Sequence, residues 1–482
     1  MSPAPIILWF RIDLRLADNP ALCAALSTGA PVIPVFIFSP EEEAPWQPGA
    51  ASRWWLHQLL LELQTNLERA GAKLIIRRGP TLAALRELIE QTGVRTIFWN
   101  RRYEPAIISR DKKIHDALAS TGIKVESFSA ALLHEPGTVL NQSGKPFQVF
   151  TPFWRHCLKL SDPATPLPAP KTIHAPKKWP ATLTLNALEL EPKIPWAKGF
   201  RNEWTPGETG AQSQLQKFLH DAFPDYSTAR NRPDRRGTSR LSPHLHFGEI
   251  SPRQVWHAIR RDAEKKSLAV SAWRESQFLT ELGWREFAHQ LLIHFPQAPT
   301  KPLRPNFAKF PWRVDAEFLQ AWQRGKTGYP IVDAGMRELW ATGWMHNRVR
   351  MIAGSFLVKD LLLSWQEGAN WFWDTLVDAD LAQNTLGWQW IAGCGADAAP
   401  YFRIFNPITQ GEKFDPQGDY VRRWCPELTR LPGKWLHQPW RAPAKILSQA
   451  GVELGRDYPE PIVSHAIARE VALAAFAKIK NG

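Results

Sequence analysis

The spacing of the apolar residues changes once along this chain, and that change limits the folds open to it. Before about residue 133, short apolar runs alternate with amphipathic stretches. Ile6–Phe10 (IILWF) and Val32–Phe38 (VIPVFIF) read as buried strands, and Leu74–Arg77, Thr96–Trp99 and a run near Val125 supply three more. Between them, Ser52–Ala70 reads as a helix with Trp55, Leu59, Leu63 and Leu67 on one stripe and Ser52 as its N-cap. Further helices are expected over residues 81–92 and 104–121. This alternation predicts a mostly parallel sheet covered by helices. Arg11, Asp13 and Arg15 follow the first strand where a dinucleotide-binding sheet would carry a glycine-rich loop, which argues against a Rossmann-type NAD enzyme.

From Leu133 to Trp204 prolines crowd in (Pro163, Pro166, Pro168, Pro170, Pro176, Pro180) and periodicity fades. Such a stretch reads as a long surface connector. Beyond Pro206 the pattern is almost wholly helical. The expected organisation is an α/β domain over residues 1–132, a connector over 133–205 and a helical domain over 206–482. A chain of 482 residues is long enough for two cores. No apolar run approaches a membrane span and the N-terminus lacks a signal-peptide pattern, so cytoplasmic residence is expected. The four cysteines are scattered without a CxxC, giving no zinc site and no disulfide framework.

The formal net charge of +13 favours a polyanionic partner. Tryptophan outnumbers tyrosine by 24 to 6, enough indoles for a core with some left over for stacking platforms or electron relays. The helical part also places polar groups where a core would be apolar. Asn347, Arg350 and Met351 share a helix face at i, i+3 and i+4. Asp380, Asn384 and Trp388 recur every fourth residue, with Asp378 beside them. Buried without partners these groups are costly, and together they point to a bound polar ligand. Gly237–Ser242 (GTSRLS) gathers hydroxyls, a guanidinium and backbone N–H groups suited to a phosphate, though a plain capped turn is equally open. Ser251–Pro252 reads as a helix start. A helix over Ser271–Phe295 would aim Glu281, Trp284 and Arg285 one way, as a ligand contact or as an internal ion pair beside a core Trp. Gly393–Ala398 matches GxGxxA but follows a helical run. Asp378–Asp380 resembles the start of a calcium loop but has Gln383 and Gln389 where that loop needs Gly and Glu. No metal site is expected.

Several long blocks in order (GTSRLSPHL, ELGWREF, GKTGYPIVDAGMREL, TGWMHNRVRM, DADLAQNTLGWQW, DAAPYFRIFNP) resemble the photolyase/cryptochrome family, and within it the bacterial cyclobutane pyrimidine dimer photolyases. The resemblance runs from the first strand to about Ile462. It implies an α/β domain, a connector and a helical domain holding U-shaped FAD, active in its reduced form. It also implies light-driven electron donation to a dimer flipped out of UV-damaged DNA. By position it implies FAD contacts at Tyr226, Thr238, Ser239, Arg240, Leu241, Ser242, Phe278, Arg285, Asn347, Arg350, Asp378 and Asp380, with Asn384 facing the flavin N5. Glu281, Trp284, Met351 and Trp390, near Asn347, match the lesion pocket, and Arg230, Arg348 and Arg403 match positions close to the DNA backbone. Trp388, Trp365 and Trp312 match, outward from the flavin, the chain that photoreduces it. Phe278 stands where some relatives have Trp. Enzymes for the six-four photoproduct carry two histidines where Asn347 and Met351 stand here, which favours cyclobutane dimers, and Asn384 favours repair over a signalling cryptochrome. Ala106 and Ile107 replace the Asn and Glu that hold folate in some relatives. The antenna chromophore, if any, could therefore be methenyltetrahydrofolate, a deazaflavin or a second flavin. No obligate protein partner, no membrane and a monomer are expected.

Overall fold

A computed structural model describes residues 3–398 and 403–480. Its contacts divide the chain into two units, Met1–Asp221 with Ser239–Pro296, and Ala222–Thr238 with Gln297–Gly482.

The first unit is built on five parallel strands, β1 (Ile6–Phe10), β2 (Val32–Phe38), β3 (Ile75–Arg78), β4 (Thr96–Asn100) and β5 (Lys124–Phe128), in the order β3-β2-β1-β4-β5. Every residue of β1 and β2 is buried, as strands covered on both faces require, and this is why they read as unbroken apolar runs. Helices α1 (Pro20–Ser27), α2 (Ala50–Arg69), α3 (Thr81–Thr92) and α4 (Pro105–Ala119) connect them. Trp55, Leu59, Leu63 and Leu67 of α2 are buried as their stripe predicts. Ser52 is not its N-cap: α2 starts earlier, Gly49 takes that place, and Ser52 is buried inside the helix. Strand order reverses between β1 and β4, so the crevice at their carboxyl ends is a topological switch point.

The proline-rich run is not bare connector. It carries α5 (Phe150–Cys157), whose Phe150, Phe153, Trp154 and Cys157 are buried. Four apolar residues in eight make a helix face, but the span is too short for its periodicity to stand out. α6 (Pro252–Lys265) opens on the expected Ser251 cap, in a capping box with Gln254. The single helix expected over Ser271–Phe295 is two. Val270–Arg274 ends, and Ser276 caps a new helix, α7 (Gln277–His294), its hydroxyl accepting from the Leu279 N–H. A serine that satisfies the backbone locally starts a helix more readily than it continues one.

The second unit is helical among the described residues. Its core is framed by α8 (Pro330–Thr342), α9 (Asn347–Ser355), α10 (Trp365–Thr375), α11 (Leu381–Ala392) and α12 (His465–Lys480). α9 runs directly into a π-helical turn, Phe356–Asp360. Trp322, Trp365 and Trp388 are buried in this core and Trp312 packs against it. Gly393, in the left-handed region at φ 90°, ends α11, so the GxGxxA match is a helix stop. No helix of the described residues is long and apolar enough to cross a membrane. None of their acidic, His and Cys side chains gather as a metal-binding group.

Candidate functional site

The second unit holds the densest set of the expected residues, on α9, α11 and the segment between α10 and α11. Asp380 is not part of the helical stripe. It is the N-cap of α11, its carboxylate accepting from the Gln383 N–H at 2.9 Å, and only Asn384 and Trp388 lie within the helix. Asn384 is half-buried, and its Nδ2 donates to the Ala369 carbonyl of α10 at 3.0 Å. That bond fixes which way the amide oxygen points. Trp388 packs edge-on to Phe372 and Trp322 at 5.0 and 6.2 Å. A Cβ on Gly368 would stand 2.0 Å from the Trp388 ring, so a glycine there lets α10 and α11 close over the indole.

Both carboxylate oxygens of Asp378 accept from Arg350 Nη2, Oδ2 at 2.8 Å and Oδ1 at 3.1 Å, while Arg350 Nε donates to the Met345 carbonyl at 2.7 Å. The carboxylate is buried and the guanidinium partly open. Asn347, the first residue of α9, is exposed. Arg348 donates to Asn231 Oδ1 at 2.5 Å, approaches Met351 Sδ at 3.7 Å and lies 4.5 Å over the Phe414 ring. His346, which sequence reasoning passed over, caps α9: its Nδ1 accepts from the Arg348 N–H at 3.2 Å. Burial above all, then Arg348, Arg350 and Arg230, pushes its pKa down to about 3, so it is neutral. Arg230 lies 5.8 Å over the ring of Tyr226, which is buried. Trp365 is the first residue of α10. The Arg313 N–H donates to the Leu362 carbonyl at 2.8 Å, tying the strand of chain that bears Trp312 to the approach of that helix. Trp390 is half-buried and Arg403 exposed. Ala399, Pro400, Tyr401 and Phe402 of the DAAPYFRIFNP block lie outside the described residues.

Two buried residues near this set carried no signal in the sequence. Gln389 accepts from the Leu303 N–H and donates to the Ala298 and Lys301 carbonyls, pinning α11. Lys359, in the π-helical turn, donates to the Ala392 carbonyl at the end of α11 at 3.1 Å, and burial holds its pKa well below the usual lysine value. Both look like ordinary surface residues unless the three-dimensional contacts are known.

The first unit carries the remainder. On α7 Glu281 accepts from Gln277 at 2.8 Å. Trp284 is stacked on Phe150 at 3.8 Å, so α5 of the proline-rich run sets its ring plane. A Cβ on Gly283 would meet the Trp154 ring at 2.6 Å, which is how α5 comes so near. Arg285 donates to the Ala131 and Leu245 carbonyls, at 2.7 and 3.4 Å. Phe278 is buried against Phe218 at 4.5 Å. Thr238 belongs to the second unit and Ser239–Ser242 to the first. Within that turn Ser239 Oγ accepts from the Leu241 N–H at 3.3 Å, Leu241 is buried, and Ser242 opens a short helix. Arg240 adopts φ 52° and turns to Glu203 at 3.2 Å and to the Trp204 ring at 4.4 Å.

The switch-point crevice of the sheet is filled by the protein itself. Arg11 pairs with Asp111 and donates to the Asn100 carbonyl. Arg102 is bidentate to Glu43 at 2.9 Å and reaches Glu104 at 2.8 Å. Arg15 donates to the Asp18, Gly248 and Ala130 carbonyls. The space left beside Asp13, Asn100 and Arg102 is about 10 Å³, room for one water and no ring system. Ile107 is buried in the core.

Comparison with known proteins supplies the family. Residues 6–171 match the DNA photolyase family and residues 278–478 match the FAD binding domain of DNA photolyase. The chain is 51% identical to a deoxyribodipyrimidine photo-lyase of Agrobacterium fabrum over 100% of its own length and 99% of that protein's. The chain belongs to the photolyase/cryptochrome family. A crystal structure of a bacterial class III photolyase from Agrobacterium tumefaciens superposes with a TM-score of 0.96 at 50% identity, covering 100% of this chain and 99% of that one. Cryptochrome-1 of Arabidopsis thaliana is 44% identical over 95% of this chain and 68% of its own. The parallel-sheet unit and the helical FAD-binding part are thus the two parts of a photolyase fold, and FAD is the cofactor.

Proposed function

We propose that this chain is a light-driven DNA repair enzyme of the deoxyribodipyrimidine photo-lyase type, splitting cyclobutane pyrimidine dimers in UV-damaged DNA. The observation that carries this reading is the full-length match to a photo-lyase at 51% identity. The residues present fit FAD. Arg350, hydroxyls at Thr238, Ser239 and Ser242, and the oriented amide of Asn384 suit a ligand with a pyrophosphate and a flat ring edged by hydrogen-bonding atoms. When bound and reduced, FAD supplies the photoexcited electron that opens the cyclobutane ring and takes it back afterwards.

The chain's own residues position and screen. We assign Tyr226, Thr238–Ser242, Phe278, Arg285, Asn347, Arg350, Asp378 and Asp380 to holding FAD, and Asn384 to its redox-active edge. Asp378 keeps Arg350 in place, and Ala369 keeps the Asn384 amide from rotating. Glu281, Trp284, Asn347, Met351 and Trp390 are assigned to the lesion on the family resemblance. Trp284, held flat by Phe150, offers an apolar face to an unstacked base, and Glu281 a hydrogen-bond acceptor to a pyrimidine edge. Arg230, Arg348 and Arg403 are assigned to phosphates, which predicts salt-dependent binding. Trp388, Trp365 and Trp312 are assigned to electron supply from the surface, in a core that excludes water. The reading includes action as a monomer in the cytoplasm. An antenna chromophore, if the chain holds one, is methenyltetrahydrofolate, a deazaflavin or a second flavin.

The test is blue-light repair of an oligonucleotide bearing one cyclobutane thymine dimer, with the flavin reduced and a dark control. Repair in light alone is expected. Without repair despite bound, reducible FAD, a six-four photoproduct photolyase and then a signalling cryptochrome become the better readings.

A further inference from the structure

Glu286 follows Arg285 on α7 and has no part in the reading above. It is 2% exposed. Its Oε2 accepts from the backbone N–H groups of Leu133 and His134, at 2.9 and 3.2 Å. Its Oε1 is buried with no hydrogen-bond partner among the described residues. One helical turn along, Gln290 is 4% exposed, and its Oε1 is also buried and without a partner. Side chains at i and i+4 of a helix are neighbours. Two buried acceptors with no donor violate the rule that interior polar groups are paired, and one proton resolves both.

The adjacent cation is already engaged. Arg285 Nη1 stands 3.7 Å from Glu286 Oε1 but donates to the Ala131 carbonyl at 2.7 Å. An ionised Glu286 would draw that guanidinium toward itself. A neutral acid leaves it donating to the Ala131 and Leu245 carbonyls. We propose that Glu286 carries a proton on Oε1, donates it to Gln290 Oε1, and is thereby the positioning residue for Arg285. The proposal rests on the assignment of Arg285 to FAD.

The surroundings agree. Burial pushes the Glu286 carboxyl up to about 7, against the pull of Arg285 and the two backbone donors and with the help of the Glu135 charge. Neither His134 nor Cys157 competes for the proton near neutrality. His134, on the same segment as Glu135, is lowered by burial and by His156 of α5. Cys157 of α5 is pushed up to about 12 by burial and by Glu286 itself. His289 on α7 has its Nδ1 bonded to the Arg285 carbonyl at 3.0 Å.

The experiment compares the full chain with Glu286→Gln, measuring FAD affinity by flavin fluorescence and the infrared carbonyl band of a protonated carboxylic acid, both across pH 6 to 8. The wild type should show the band at pH 6, lose it toward pH 8, and bind FAD more weakly as it disappears. Each unit by which FAD binding raises the Glu286 titration corresponds to about a tenfold change in Kd. Glu286→Gln should lack the band and hold FAD with the low-pH affinity throughout. Gln290→Leu, which removes the acceptor, should move the transition to lower pH and serves if Glu286→Gln does not fold. A wild-type chain without the band, or a pH dependence unchanged in Glu286→Gln, overturns the proposal, the first by showing an ionised Glu286 paired with a reoriented Gln290 amide. If the wild type binds FAD but repairs no dimer in light, the proposed function fails while the same binding curves still decide the role of Glu286.

Discussion

Two regions of this molecule bury charged and polar side chains, and they settle them in different ways. At the carboxyl edge of the sheet, Arg11 pairs with Asp111 and Arg102 with Glu43 and Glu104, and the cavity beside Asp13, Asn100 and Arg102 is about 10 Å³. In the second unit, Arg350 is held by Asp378 and the Met345 carbonyl, Asp380 caps α11, Asn384 donates to the Ala369 carbonyl, and Arg350 remains partly open. The first pattern is polarity spent on structure. The second is polarity left partly open, which the proposed function assigns to FAD. A fold with a switch-point crevice is usually expected to use it, yet the proposed site lies in the helical unit.

That difference predicts opposite outcomes for removing one partner. Asp378→Ala leaves Arg350 without its carboxylate, and an uncompensated guanidinium either moves or takes another anion. Purified protein should lose most of its flavin, and light-driven repair should fall by roughly two orders of magnitude or more, on the scale of losing an oriented charge in a site. The absorbance ratio of flavin to protein checks this directly. Full flavin retention would mean that Asp378 belongs to the structural class of pairs.

Asp111→Ala is the matching experiment at the sheet edge. Arg11 is buried and would lose its ion-pair partner, at a cost of about 3–5 kcal/mol. Urea unfolding should show that loss, while repair per folded, flavin-loaded molecule stays unchanged. A selective loss of repair or of a bound antenna would show that the packed crevice has a functional role.

The tryptophans sharpen the comparison from another side, because they are core residues for which an added task is proposed. Trp312→Phe retains an aromatic ring beside Phe310, now 4.2 Å from the indole, so stability should change by less than about 1.5 kcal/mol. Photoreduction of oxidised flavin should slow about tenfold, on the premise that a missing relay adds about 1.4 kcal/mol to the barrier. Repair by chemically reduced protein should be unaffected. Equal photoreduction rates would leave Trp312 as packing alone.

The sequence made some of this legible and hid the rest for physical reasons. β1 and β2 were readable to the residue because strands buried on both faces are unbroken apolar runs. Long blocks such as TGWMHNRVRM and DADLAQNTLGWQW carried the family, and with it the candidate residues. Periodicity could not show that Ser276 starts a helix or that Asp380 caps one, because a serine or aspartate at a boundary fits both patterns. Nor could it pair Arg350 with Asp378, which are 28 positions apart, or reveal that Phe150 of a proline-rich stretch orients Trp284. Those are long-range contacts, and side-chain type alone does not encode them.

The smallest expected effect lies with a residue that bridges the two patterns. His346 is buried, its Nδ1 caps α9, and its Nε2 has no hydrogen-bond partner among the described residues. It sits among Arg348, Arg350 and Arg230, so taking up a proton would add a fourth positive charge to a buried place, and its pKa is pushed down to about 3. An unfolded histidine titrates near 6.5, so the unfolded chain binds the proton first as pH falls. The stability His346 contributes is therefore fully present above about pH 6.5 and is lost as pH drops toward 3, at up to about 1.4 kcal/mol per pH unit. Asn is also a good N-cap, so His346→Asn should keep the cap while removing the titration. Lost packing lowers its Tm at pH 7, but between pH 6.5 and 5 its Tm should fall less steeply than that of the wild type. The slope is the informative quantity, because a packing defect lowers Tm at every pH alike. Parallel slopes would mean that the neutral histidine contributes no acid sensitivity and is only a cap.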